Sequence, residues 1–281
     1  MNKTNSSLFA IAIAAALALT AAMPAAAQQQ QAKPAAPAAF PGVITLKNDS
    51  QVKGAIRWMP QGRKYIVMQR RQDGQTLSTD VAADDVAKVE VAKPEKLDAA
   101  IKAIEAGRAA AAVPVLEDIV KRYAMLGWDE PAARYLAKAK LDTGDIASVI
   151  KISEAIIKGN PSAAYVGDLA PIYWAGLLKT GKRDKLEELL AKAVANGDQN
   201  ASAAALVMRG DILMEDKQPF DALKDGYLRA VLLYERCHDV QPEALYKAAK
   251  AFEALSKNAD AQKMRDQLRK RYPKSEWATK L

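Results

Sequence analysis

Cys237, His238 and Asp239 are consecutive in the chain, and together they carry a thiol, an imidazole and a carboxylate: a nucleophile, its base and a group to orient the base. Consecutive placement defeats that use, because neighbouring residues on a helix point about 100° apart and do not face one another. The 281 residues contain one Cys and one His. That excludes an internal disulfide, a cysteine zinc site, an iron–sulfur cluster and any site needing two imidazoles. The sequence has no Gly-x-Ser-x-Gly elbow, no Gly-rich phosphate loop ending in Lys-Ser/Thr and no His-Glu-x-x-His, each of which places its reactive groups by a defined turn or helix spacing. Asp84 and Asp85 read as turn formers, and Glu187 and Glu188 as the solvated side of a leucine-striped helix. The expectation is a protein that is not an enzyme, holds no metal and uses no cofactor.

Binding chemistry is the remaining possibility. Lys and Arg number 41 against 33 Asp and Glu, a net charge of +8, which favours anionic partners only if the excess is concentrated. Arg63, Lys64, Arg70 and Arg71 cluster in sequence near Trp58 and Tyr65, a mix that suits RNA or an anionic polymer. The surrounding segment 42–92 nets only +2, however, so no nucleic-acid partner is expected. An anionic envelope polymer such as peptidoglycan, gripped by those four cations, is the alternative reading.

The elements that must position these groups fall into four stretches. Lys3, the apolar run Leu8 to Met23 and the small residues at Ala25 and Ala27 form a secretory signal peptide, 1–27, with cleavage between Ala27 and Gln28. The run is shorter than the roughly 20 residues that span a bilayer, so no stable membrane span is expected after cleavage, and the protein is expected to be periplasmic or secreted. Residues 28–41, rich in Gln, Ala and Pro, read as a disordered tether. From Gly42 to Ala92, five short β-rich runs separated by turn residues predict a small antiparallel barrel. Val43, Leu46, Ile56, Trp58, Ile66 and Val86 are its expected core, and a unit of this size must lean on a neighbour. From Lys93 to the end the apolar residues follow helical spacing: Val113, Leu116, Val120 and Tyr123; then Ile146, Val149, Ile150, Ile156 and Ile157; then Leu186, Leu189, Leu190, Ala193 and Val194. Breaks at 143–145, 180–182, 216–218 and 257–259 recur about every 37 to 40 residues, the mark of stacked helix pairs. Cys237 sits in this helical pattern and is expected to be buried.

Two resemblances follow from these residues. The unit 42–92, with its first strand ending in Leu46-Lys47-Asn48-Asp49, Gly54 in a bent second strand and a turn at Asp84-Asp85, resembles SH3-like and Sm-like barrels. The last helical units resemble tetratricopeptide (TPR) repeats, which place a small residue, an aromatic three later, an Ala twelve after the small residue and a Pro twelve beyond. Here these are Ala249, Phe252, Ala261 and Pro273, and one unit earlier Gly210, Leu213 and Ala222. The resemblance implies a mainly α fold, an α-solenoid of about five helix pairs behind a small β-barrel. It also implies a groove lined by the first helix of each unit. Carried onto the aligned positions, that groove contains Val207, Asp211, Met214, Tyr246, Lys250 and Glu253, and by period Arg134 and Lys138. Trp277 is expected to cap the last pair. The function implied is a non-catalytic envelope scaffold whose groove binds a protein or peptide partner. The oligomeric state stays open.

Overall fold

The computed structural model describes residues 38–281, so the signal-cleavage residues Ala27 and Gln28 lie outside the described residues. Five strands, β1 (Phe40–Leu46), β2 (Gln51–Met59), β3 (Lys64–Arg70), β4 (Thr76–Ala82) and β5 (Val86–Val91), precede the helices. β1 therefore takes in the last two residues of the expected tether, Phe40 and Pro41. The strands form one antiparallel sheet in the order β4-β3-β2-β1-β5. β4 and β5 do not pair, so the sheet is not closed into the barrel that the sequence suggested. Its core differs in phase as well. Ile44, Ile56, Tyr65, Val67 and Val81 are buried, with Leu46, Trp58 and Val86 packed against them. Val43 and Ile66 fall on the opposite face, because a one-residue shift in a strand reverses every side chain.

The place of the missing closure is taken from outside the sheet. The loop after Arg122 drives Leu126 into the sheet core, where it is 1% exposed. Tyr65 donates its hydroxyl proton to the Met125 carbonyl at 2.9 Å, and the Trp128 indole donates to the Val91 carbonyl at 3.0 Å. Phe40 stacks on Tyr123 with ring centroids 4.1 Å apart. A thin sheet thus completes its core with a side chain from a loop about 60 positions beyond Tyr65. Leu126→Ala should lower stability by about 2–5 kcal/mol, the range for truncating a buried leucine. It should also raise protease sensitivity in residues 40–91 before the helices. Chemical denaturation followed by limited proteolysis and mass analysis checks both, and uniform cleavage along the chain would count against the loop's closing role.

The helices are α1 (Leu97–Glu105), α2 (Ala109–Arg122), α3 (Asp129–Asp142), α4 (Ile146–Gly159), α5 (Leu169–Lys179), α6 (Arg183–Asn196), α7 (Gln199–Glu215), α8 (Pro219–Asp221), α9 (Leu228–Leu233), α10 (Gln241–Ala254), α11 (Asn258–Arg271) and α12 (Glu276–Thr279), with a π-helical stretch Ala222–Tyr227 joining α8 to α9. They make five antiparallel pairs followed by the short α12. Each pair turns at a residue with left-handed backbone: Gly107, Gly144, Gly181, Lys217 and Ser256. Each turn is closed by the same two hydrogen bonds. The left-handed residue donates to the carbonyl three positions before it, and its successor donates to the carbonyl five positions before itself, as in Gly144 to Leu141 and Asp145 to Lys140. This is a Schellman ending, which satisfies the last carbonyls of the first helix. The identical turn at Gly107 extends the repeat to α1 and α2, where the sequence motif is weakest.

Within the pairs, the apolar stripes read from the sequence supply the buried faces: Leu116, Val149, Ile156, Leu186, Leu189, Leu190 and Ala193 are all buried. Ala249 and Ala261 are buried where α10 and α11 pack. In the fourth pair the closest approach differs from expectation. A Cβ at Gly226 would lie 2.6 Å from the Cα of Gly210, and one at Gly210 would lie 2.4 Å from the Tyr227 ring. Gly226, rather than Ala222, is the partner of Gly210, although Ala222 is buried as well. Cys237 is buried as expected, in a turn between α9 and α10 rather than in a helix. Burial pushes its thiol up from the ordinary cysteine range, which disfavours the reactive thiolate. No helix among the described residues is long and apolar enough to cross a membrane.

Candidate binding groove

The first helices α1, α3, α5, α7 and α10 touch in succession, each packed beside the next. The row bends back on itself. One cavity of about 780 Å³ is lined by Ile101, Ile104, Tyr135, Lys138 and Asp142 from the first two pairs, and by Glu276 and Lys280 from the far end of the chain. The surface between α3 and α12 is therefore concave, and Lys138 lies in it. Tyr135 is 39% exposed there. At the α12 end, Trp277 lies 5.2 Å from the Tyr246 ring, with the ammonium groups of Lys280 and Lys247 at 3.9 and 5.7 Å from its own ring. Trp277 packs on the last pair as expected of a cap.

The charged residues expected in the groove are engaged within the chain. Asp211 accepts a hydrogen bond from the Tyr227 hydroxyl at 2.8 Å and another from Lys247 at 2.5 Å, and Lys247 also pairs with Glu243 at 2.5 Å. Burial pulls the Lys247 ammonium down, but Asp211 and Glu243 outweigh it and hold the group above the ordinary lysine range. Burial first, and then the Asp211 carboxylate, push the Tyr227 phenol far up, so it remains a donor. Glu253 is shared between Lys250 and Arg265, and Lys138 pairs with Asp142. Lys250 also lies 5.9 Å over the Tyr246 ring.

Two of the expected groove residues lie elsewhere. Val207 is 3% exposed and belongs to the core beneath α7, with Leu206, Leu223 and Leu245. Arg134 pairs with Glu130 at 2.6 Å and lines a separate cleft beside Val86, Lys88 and Met125. Met214 is half-buried against the same core as Val207. Tyr135, which lines the cavity beside Lys138, is missing from the sequence-based set, as is Lys247, which pairs with Asp211 and Glu243. The Glu243–Lys247 spacing of four was a visible signal for that ion pair, since such residues meet on a helix face.

The four basic residues of the sheet do not form one patch. Arg63 and Lys64 lie at one end of β3 and Arg70 and Arg71 at the other, about 20 Å apart at the usual rise of a strand. Lys64 pairs with Asp80 at 2.5 Å, and Arg63 lies 3.6 Å from Asp84. A concentrated anion-binding surface is not what this sheet presents. Elsewhere, His238 contacts the Tyr272 hydroxyl at 3.3 Å. Among the described residues no three His, Cys, Asp or Glu side chains are grouped to hold a metal.

No protein-family model and no curated protein matches the sequence. Solved structures similar to the chain include a thermophilic TPR protein from Thermus thermophilus, 15% identical with a TM-score of 0.47, covering 64% of this chain and 91% of that one. The nearly identical TPR-like repeats of a putative Podosopora anserina kinesin light chain are 17% identical with a TM-score of 0.44, covering 62% and 92%. A single-substitution form of those repeats is 18% identical, with a TM-score of 0.45 and coverage of 62% and 91%. What makes the helical part TPR-like is internal to this chain: five pairs, one repeated turn and a continuous row of first helices.

Proposed function

We propose that the protein is a non-catalytic scaffold of the cell envelope, exported by its N-terminal 27 residues, which holds an extended or helical segment of a partner protein in the groove between α3 and α12. Exposed Tyr135 in the cavity between α3 and α12, together with the Tyr246–Trp277 ring pair on the last helices, carries this reading. These rings offer a large contact area at low entropic cost, while the neighbouring charges are neutralised by one another, and interface hot spots favour that combination. Paired charges around an apolar strip suit a protein segment better than a polyanion.

The test places a photo-crosslinking residue at Tyr135, at Tyr246 and, as a control on the opposite helix layer, at Lys158, in cells making the full chain. The first two positions should capture the same partner and Lys158 should not. Tyr135→Ala combined with Trp277→Ala should then weaken binding of that purified partner at least tenfold, since each truncated hot-spot aromatic costs about 1–2 kcal/mol. Capture from Lys158 alone would reject the groove. Absence of the protein from the periplasmic and secreted fractions of those cells would reject the export reading, and a mature form whose first residue is not Gln28 would move the cleavage site.

A further inference from the structure

We propose that the protein seats itself on an anionic phospholipid bilayer through the end of the solenoid where α9 and α11 finish, with Leu232 and Leu233 entering among the headgroups. These two are the most exposed large apolar side chains among the described residues, at 67% and 65%. They are consecutive in the last turn of α9, and that turn is fixed from beneath. The buried Gln241 amide donates to the carbonyls of Ala230, Val231 and Tyr234 at 2.9, 3.2 and 3.0 Å. The Cys237 backbone N–H also donates to the Tyr234 carbonyl. The helix end is therefore held in place with its leucines outward, and a fixed apolar pair facing water marks contact with another surface.

The charge around the leucines identifies that surface. α9 and α11 are the second helices of consecutive pairs, so both finish at the same end of the solenoid. There His238, in the turn after α9, contacts the Tyr272 hydroxyl just after α11 at 3.3 Å, and Arg271 lies 5.6 Å over the Tyr272 ring. Arg229 stands one turn before Leu233 on the same helix face. Arg236 lies in the turn, Lys270 in the last turn of α11 and Lys274 just beyond it. These five cations are all exposed. Among the described residues none of them pairs with a carboxylate, whereas the neighbouring Arg269 is paired with Asp266. The carboxylates at this end are fewer: Glu235 and Asp239 are exposed on the turn, and Asp198 is turned onto the backbone N–H groups of Gly167 and Ala201. A soluble polyanion would use the cations and leave the leucines in water. An anionic bilayer uses both, taking the leucines at the acyl boundary and the cations at the phosphates. None of these residues lines the cavity between α3 and α12, so a membrane-seated protein keeps its groove open. The inference takes from the proposed function only the envelope location.

The test sediments the purified chain from Gln28 onward, which contains every described residue and lacks the apolar run 8–23, with vesicles of phosphatidylcholine alone or with about 30% phosphatidylglycerol. Each cation strengthens binding to such a surface about fivefold. At about 50 mM salt, binding to the anionic vesicles should exceed binding to the neutral ones at least tenfold, and it should fall at least tenfold at about 500 mM. Leu232→Asn with Leu233→Asn, and separately Lys270→Glu with Arg271→Glu, should each weaken it at least tenfold without changing the far-UV spectrum. Tyr135→Ala should leave it unchanged, which separates this surface from the groove. A polarity-sensitive dye on Leu233→Cys should brighten with anionic vesicles, and one on Phe220→Cys, 57% exposed at the start of α8, should not. Cys237 is buried and does not compete for the dye. No binding, equal binding to neutral vesicles, binding that survives the two asparagines, or equal brightening at positions 220 and 233 would each overturn the proposal.

Discussion

Gly226→Val should be the most damaging single substitution in the chain, unfolding at least the last two helix pairs at 37 °C. The added carbon would lie 2.6 Å from the Cα and 2.7 Å from the nitrogen of Gly210, and 3.0 Å from the Leu206 carbonyl. All three atoms are backbone, so no side chain can rotate away and the two helices must separate. Overpacking a core usually costs about 1–3 kcal/mol where side chains can adjust. Here Gly226→Ala alone should cost about 3 kcal/mol, the upper end of that range, and valine, with two further methyl groups, more than that. The contrast is Gly159 at the end of α4, where an added Cβ meets nothing within 4 Å. Gly159→Ala should be neutral or stabilise by about 0.5 kcal/mol, because glycine is the poorer helix former. Urea unfolding of the three variants checks the ordering, and equal effects at Gly159 and Gly226 would sink the close-crossing account.

Lys247→Ala should be nearly as costly, at about 3 kcal/mol, the lower end of the range for removing one partner of a buried ion pair. It leaves Asp211 and Glu243 half-buried without their shared cation. Because Lys247 is held above the ordinary lysine range, its contribution is fully present below the pKa of an unfolded lysine. That contribution is lost only as pH rises through the higher folded value. The cost of the substitution should therefore be constant from about pH 6 to 9 and shrink above about pH 10.4. Asp211→Asn in the same chain should recover much of the loss, since the remaining amide still accepts from Tyr227 while the carboxylate repulsion disappears. Denaturant midpoints with unchanged slopes measure both variants. A loss under about 1 kcal/mol would place Lys247 with ordinary surface pairs.

These two sites show how unevenly the sequence exposes its structure. Gly210 was visible as a small residue at a repeat position, but its true neighbour, Gly226, was not. The π-helical stretch Ala222–Tyr227 alters the residue count between the helices, and such a stretch has no sequence signature at this spacing. Asp211 was likewise assigned to the groove, but its carboxylate is engaged by Tyr227 and by Lys247, 36 residues further on. Val207 satisfied the same register argument and is core. A helix face is readable from period, whereas the depth of a residue on that face depends on what the next helix brings against it.

Local sequence settled the scarcity of reactive groups, the change from short strands to helices near Pro94, the repeat period and the positions of the turns. All of these are written in neighbouring residues: side-chain alternation, helical stripes, and Gly or its stand-ins at left-handed positions. Three features of the sheet came instead from packing between distant parts of the chain: that it stays open, that its core lies on the face of Ile44 and Val67 rather than Val43 and Ile66, and that Leu126 completes that core. Both faces of those strands carry apolar residues, so local pattern could not choose between them. The choice was made by a loop 60 residues away from Tyr65, whose leucine can be buried against only one of the two faces.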